Sequence, residues 1–271
     1  MVEENVPVAG IREQALTSMY RVVRVENKEA SEAEVEVCVE DSVNLQVNGI
    51  RVASLTITPA DLEPFALGYV VCEGLVRTPE EVLSIEVEYP NINVKVGAFT
   101  GDDADLWMEI RSSGCVGVRA AWADIDEPIK SDITLSVDQI FTGLGHVNEL
   151  ARLWKKTGGT HCSIIYDAAG NLVSYAEDIG RHNSIDKAVG KAFMKGRKLN
   201  DCFLVCTGRM PAGMVAKAYR AGIPIVASNT APFTTGIDLA RRLDMTLICF
   251  AREPKMTIYS KPERIRGIKK A

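Results

Sequence analysis

A single thiol stands in the stretch RSSGCVGVR, residues 111–119, where Cys115 is set among small residues with Arg111 and Arg119 at either end. The thiolate is the nucleophilic form of cysteine, and nearby guanidinium groups favour it. A Ser-Ser-Gly-Cys-Val-Gly segment offers few packing partners, so Cys115 reads as an exposed thiol placed to act as a nucleophile. The other six cysteines (38, 72, 162, 202, 206 and 249) lie in strand-like or apolar helical runs and read as small core hydrophobes. Seven irregularly spaced cysteines in 271 residues do not make a disulfide framework, and reduced thiols are expected. Zinc is the competing use of scattered Cys and His. No Cys-x-x-Cys pair exists, and His161 is followed by Cys162-Ser163 instead of x-Glu, so the zinc-deaminase pattern is absent.

A second constellation is polar: Glu177-Asp178-Ile179-Gly180-Arg181-His182-Asn183, Thr207-Gly208-Arg209, Ser228-Asn229-Thr230 and Ala251-Arg252. Each follows an apolar strand-like run, and in open α/β sheets ligands bind outside the carboxyl ends of the strands. Arginines, a histidine, hydroxyls and amides gathered there suit a phosphorylated ligand rich in hydrogen-bonding groups. Helices starting at these junctions add amide N–H groups for an anion. Taken one at a time, Asn183 or Ser184, Thr207 and Thr230 also read as helix caps, and Arg181 with Asp178 as a salt bridge; the set together favours a ligand site. His161 and His146 read as structural. The segment from Arg252 to Lys270 is locally basic, which suits either a solvated tail or phosphate contact.

The elements that would position these residues are legible as periodicities. Residues 20–58 alternate like strands, with Asn48-Gly49 as a hairpin turn. Thr58 as N-cap and Pro59 at N1 predict a helix through LEPFALGYVVCEGL. Strands are predicted at LSIEVEY, NVKV and DLWMEIR, the last running into the Cys115 loop, and residues 136–156 predict one amphipathic helix. Beyond it come a hairpin (HCSIIYD, LVSYAED), a helix (NSIDKAVGKAFMKG), strand CFLVCTG, helix AGMVAKAYRAG, strand IPIVASN, helix TTGIDLARRLD and a final strand MTLICF. Alternating strand and helix at this spacing predicts a parallel sheet. The expectation is α/β, α+β overall: a β-rich N-terminal domain over residues 1–130 carrying the Cys115 loop, and an α/β domain over residues 131–271.

Composition bounds the function. A hydrophobic share of 46% and a charged share of 25% are ordinary for a soluble globular chain. A net charge of −5 argues against a general nucleic-acid binder. No signal-peptide or membrane-length apolar run is present, so a cytoplasmic protein without membrane attachment is expected.

On LTITPADLEPFALGYVVCEGL, SSGCVG, EDIGRHNSIDKAVG, the CTGRM-to-NTAPFTTGIDLA block, LICFAR and IYSKPERI, the chain resembles the FdhD/NarQ family of formate dehydrogenase accessory sulfurtransferases. That resemblance implies a sulfurtransferase that takes a persulfide from a cysteine desulfurase. The sulfur passes to the molybdenum cofactor, bis(molybdopterin guanine dinucleotide), before its insertion into formate dehydrogenase. It also implies a homodimer and a C-terminal domain similar to the cytidine-deaminase fold without its zinc site, with a guanine nucleotide able to mimic the cofactor. The persulfide cysteine matches Cys115, and the cofactor-binding segment matches Phe250, Ala251, Arg252, Glu253, Pro254 and Lys255. Asp178, Arg181, His182, Asn183, Thr207, Gly208 and Arg209 are added as nucleotide-side candidates. Many members of the family carry Cys-x-x-Cys in the loop; here Val118 takes the second place, so Cys115 acts alone. A cofactor-binding chaperone without sulfur transfer is the alternative, and a nucleotide hydrolase a weaker one.

Overall fold

The computed structural model of the protein describes residues 15–97 and 125–269, together with the backbone of two strands at 107–110 and 116–119. β1 (Thr17–Glu26) and β2 (Glu29–Cys38) form an antiparallel ribbon of their own. β3 (Asp41–Val47) and β4 (Ile50–Ile57) follow as a hairpin. Its turn residues Asn48 and Gly49 take φ values of 48° and 82°, the left-handed pair that a two-residue hairpin loop requires. After α1 (Leu62–Cys72) come β5 (Val82–Glu88), β6 (Asn91–Val96), β7 (Trp107–Ile110) and β8 (Val116–Arg119). The six-stranded sheet has the order β5-β6-β3-β4-β8-β7, with β3 and β6 parallel and the other pairs antiparallel. Val43, Leu45 and Val47 alternate inward from β3, and Val52, Leu55 and Ile57 from β4, to pack on α1.

The expected start of α1 at Pro59 is corrected. The helix begins at Leu62 behind Asp61, a left-handed residue at φ 54°, because Thr58 is used elsewhere: its hydroxyl accepts from Ile179 N at 3.1 Å. Nine of the eleven residues of α1 are buried, as befits a helix covered on all sides.

The second half opens with β9 (Leu135–Ser136). The single helix expected over 136–156 is three: α2 (Val137–Gly145), α3 (Val147–Leu150) and α4 (Arg152–Thr157). Ser136 and Gln139 close a capping box on α2, and buried Ala151 leaves helical geometry between α3 and α4. Glu177 then holds the new start, its carboxylate accepting from Leu153 N and Trp154 N at 2.8 Å each.

The remaining elements are β10 (His161–Asp167), β11 (Leu172–Asp178), α5 (Arg181–Met194), β12 (Cys202–Cys206), α6 (Ala212–Arg220), β13 (Ile225–Ser228), α7 (Thr234–Arg242), β14 (Thr246–Arg252), β15 (Lys255–Ser260) and β16 (Ile265–Arg266). The sheet order is β11-β10-β12-β13-β14-β15. Only the pairs β12–β13 and β13–β14 are parallel, so the predicted parallel sheet is a mixed one. MTLICF is not the final strand: the chain turns back through β15 and then pairs β16 with β9. α1 and α5 are in close contact. A Cβ at Gly68 would overlap the Asp186 carbonyl oxygen and one at Gly190 the Pro64 carbonyl oxygen, so both positions need glycine for this approach.

Candidate functional site

Strand directions bring the polar junctions together. β11 and β12 are each antiparallel to β10 and therefore parallel to one another, and β13 and β14 follow in the same sense. The carboxyl ends of β11, β12, β13 and β14 thus share one sheet edge, where α5, α6 and α7 also begin. Their N-caps are Gly180, Pro211 and Phe233, none of which supplies a side-chain cap. The expectation that Asn183 or Ser184, Thr207 and Thr230 cap these helices is therefore not met. Helix N-termini of this kind favour an anion through their amides and the helix dipole.

Cationic groups gather at the same edge. Gly208 approaches so closely that a Cβ on it would come 2.8 Å from Arg181 Cβ, which seats Arg181 against the Thr207-Gly208-Arg209 turn. Burial, and then the charge of Arg209, lowers the pKa of Arg181. Arg209 is exposed and lies over the half-exposed ring of Phe233, 5.6 Å from its centroid. Among the described residues no carboxylate pairs with Arg209. His161, at the first position of β10, has Nδ1 3.2 Å from Thr207 Oγ1, and that oxygen also accepts from Cys162 N at 3.0 Å. Burial first, and then Arg181, lowers the pKa of His161. Two guanidinium groups thus make a field that an anion would neutralise, with the uncharged imidazole of His161 beside them as a hydrogen-bonding group. His182 lies beside the start of α6, where a Cβ on Gly213 would meet its Nε2 at 3.6 Å.

The next junction is held from within. Ser228 Oγ donates to Gly208 O at 2.7 Å and accepts from Thr230 N at 3.1 Å. Asn229 Oδ1 is buried with no hydrogen-bond partner among the described residues, an acceptor left open to a donor. Phe250 N donates to Thr230 O at 2.9 Å, which ties the last junction to this one. Phe250 itself stands at φ 50° and is 50% exposed, whereas Ala251 is buried. Arg252, Glu253, Pro254 and Lys255 form the exposed turn from β14 to β15, with Arg252 opposite Lys255. FAREPK is therefore a hairpin tip at the edge.

Asp178 and Asn183 turn inward from this edge. Asp178 is fully buried, with Oδ1 accepting from Gly180 N at 2.7 Å and Asn183 Nδ2 at 3.0 Å. Its Oδ2 accepts from Thr58 N at 3.1 Å and lies 2.6 Å from Lys187 Nζ. A carboxylate has about four acceptor positions, and all are used here. The salt bridge expected between Asp178 and Arg181 is replaced by the one with Lys187. Asn183 Nδ2 also donates to Thr56 O at 3.0 Å, and Lys187 Nζ to Thr58 O at 2.8 Å. Thr58, Lys187 and His161 are the residues that the reading of the sequence did not connect with the edge. The EDIGRHNSIDK run contains Lys187, but its partner Thr58 is 129 residues away.

Cys115 falls outside the described residues, between β7 and β8. Of the six described thiols, burial pushes Cys162 and Cys202 up to about 12 and Cys206 up to about 11. Burial raises Cys38, Cys72 and Cys249 as well. Cys38 is half-buried, while the other five are buried as expected. All six are protonated thiols at neutral pH and poor nucleophiles. Among the described residues no three His, Cys, Asp or Glu side chains converge to hold a metal ion. Nor is any described helix long and apolar enough to cross a membrane.

The class of this mixed α/β chain follows from comparison: the FdhD/NarQ family model covers residues 38–266, and the chain belongs to that family. A relative from Methanothermobacter thermautotrophicus, named Sulfur carrier protein FdhD, is 35% identical over 252 residues, covering 92% of this chain and 99% of its own. One of the same name from Bordetella bronchiseptica is 34% identical, covering 83% of this chain and 86% of its own. A crystal structure from Desulfotalea psychrophila, of a protein assigned as a formate dehydrogenase accessory protein, superposes with a TM-score of 0.77 at 27% identity. That superposition covers 93% of this chain and all of that one.

Proposed function

We propose that this protein is a sulfur carrier for formate dehydrogenase, working as a sulfurtransferase through a persulfide on Cys115. The observation that carries the reading is the placement of the six described thiols, five buried in the core and Cys38 half-buried, which leaves Cys115 as the candidate for sulfur chemistry. The Cys115 thiolate attacks the terminal sulfur of a cysteine desulfurase persulfide. A new S–S bond forms on Cys115, the donor S–S bond breaks, and its electron pair leaves on the desulfurase thiolate. The terminal sulfur then passes to the molybdenum of the substrate, bis(molybdopterin guanine dinucleotide): a molybdenum–sulfur bond forms, the S–S bond on Cys115 breaks with its electron pair leaving on the Cys115 thiolate, and the transferred sulfur becomes sulfide by taking two electrons from the reduced metal.

That substrate brings phosphates and a guanine. Arg181, Arg209, His161 and the starts of α5, α6 and α7 suit the phosphates, and the open Asn229 acceptor suits an N–H donor. Phe250 to Lys255 lie at the same edge and complete the set. The β10–β15 sheet serves as a deaminase-like scaffold used without zinc, and the working form is a homodimer.

The test is to incubate the protein with desulfurase and cysteine and to locate sulfane sulfur by mass spectrometry. One added sulfur on Cys115 is expected in the unaltered protein and in Cys38→Ala, and none in Cys115→Ala. Persulfide persisting in Cys115→Ala overturns the assignment. Full activation of formate dehydrogenase by Cys115→Ala would instead mark a cofactor chaperone.

A further inference from the structure

Deepening the sulfur-carrier reading, on which it rests, we propose that Thr58 with Asp178, Asn183 and Lys187 is a positioning clamp that sets β4, and with it the strand that follows Cys115 in the chain, against the carboxyl edge of the second sheet. β8 begins directly after Cys115, and its first residue, Val116, lies opposite Ser54 of β4. From Ser54 the chain runs on through Thr56 to Thr58, and there four of its polar groups bond to the segment from Asp178 to Lys187. Thr56 O accepts from Asn183 Nδ2 at 3.0 Å, and Thr58 N donates to Asp178 Oδ2 at 3.1 Å. Thr58 O accepts from Lys187 Nζ at 2.8 Å, and Thr58 Oγ1 from Ile179 N at 3.1 Å.

Thr58 is only 1% exposed, and Asp178 and Lys187 not at all, so these bonds are shielded from water and hold their geometry. The same short run, Asp178 to Lys187, opens α5 and carries Arg181 at the cationic edge. One segment therefore faces the anion site on one side and holds the sheet of β3 to β8 on the other. Loading by a separate desulfurase needs only an accessible thiol. Delivery to a cofactor held at the edge needs the two sheets in register, and a misplacement of about 1 Å can cost a transfer step about a hundredfold.

The experiment compares Thr58→Val, which removes the hydroxyl acceptor at nearly constant volume, with Thr58→Ser, which keeps it, and with Asn183→Ala. Three quantities are read for each: sulfane sulfur loaded on Cys115, affinity for guanosine diphosphate, and the rate at which preloaded protein, freed of desulfurase, restores formate oxidation to sulfur-free formate dehydrogenase. Expected are unchanged loading in all variants and unchanged affinity, within twofold, in the two Thr58 variants. Transfer should slow by about tenfold or more in Thr58→Val and Asn183→Ala and stay near normal in Thr58→Ser. Undiminished transfer in both Thr58→Val and Asn183→Ala, with normal loading, overturns the clamp alone. A parallel fall of loading, affinity and melting temperature would make the role merely structural and overturns it too. Absence of persulfide on Cys115 in the unaltered protein sinks the sulfur-carrier reading and the clamp with it.

Discussion

At the first position of β10, His161 keeps Thr207 against one ring nitrogen, while burial and the Arg181 charge oppose protonation. Its folded-state pKa lies below the ordinary value of 6.5, so as the pH falls the unfolded chain takes up the proton first. The contribution of His161 to stability is therefore full above about pH 6.5 and is lost as the pH falls below it. In His161→Gln, urea unfolding between about pH 7 and about pH 5 should show a shallower loss of stability than in the unaltered protein. Equal slopes in the two proteins would remove His161 from the titration. His161 was read in the sequence as structural because it opens a strand instead of closing one. Only the pairing of His161 with Asp178 across β10 and β11 shows that the start of an antiparallel strand reaches the edge where its neighbours end. Arg181, Thr207, Gly208 and Arg209 were legible as edge residues because each follows a run of apolar residues. Asp178 and Asn183 were legible as neighbours of the edge but not as inward-facing groups, since their partners Thr56 and Thr58 are far away in the chain.

Among the elements, α5 shows most plainly what local pattern can and cannot tell. Its existence follows from periodicity, and its position from the strand before it. Its contact with α1 depends on two glycines whose meaning appears only in the packed pair. Gly190→Ala should force α1 and α5 apart, because the added methyl overlaps the Pro64 carbonyl oxygen, which is backbone and cannot swing aside. Overpacking of this sort costs about 1–3 kcal/mol and sometimes more, and a backbone clash belongs at the upper end. Denaturant unfolding should show the midpoint lowered with little change in slope, whereas an unchanged midpoint would mean that the helices part without cost. The misread elements share a cause in tertiary competition. The cap assigned to Thr58 failed because distant backbone and side-chain groups take its hydroxyl, amide and carbonyl. The long helix over 136–156 broke where Glu177 captures a fresh helix start. β15 was missed because KMTIYS is short and only partly buried, and it exists as a strand by pairing with β14.

Over the whole molecule, the two six-stranded sheets share packing and buried polar contacts. The core around α5 and α6 includes Cys72 and Ile125 from the N-terminal side. Lys217 Nζ sits 2.6 Å from Glu73 Oε1 and 2.7 Å from Asp186 Oδ1, and 5.1 Å from the centroid of the Tyr69 ring, so one buried lysine joins α1, α5 and α6. Residues 131–271 expressed alone would forfeit that ion pair with Glu73 and all the bonds to Thr56 and Thr58. Each lost buried bond costs on the order of 1 kcal/mol or more, and the α5 face packed on α1 would meet water as well. Set against a total of about 5–15 kcal/mol for a natural domain, those losses consume most of the stability. The segment alone should therefore lack a sharp urea transition, and its β12 and β13 amides should exchange within the dead time of a hydrogen-exchange experiment. In the unaltered protein β3–β4 and β12–β13 should be protected to the same free energy, since neither half opens without the other. A cooperative transition and native-like protection in residues 131–271 alone would show instead that the second sheet folds unaided and that the clamp joins two independent bodies.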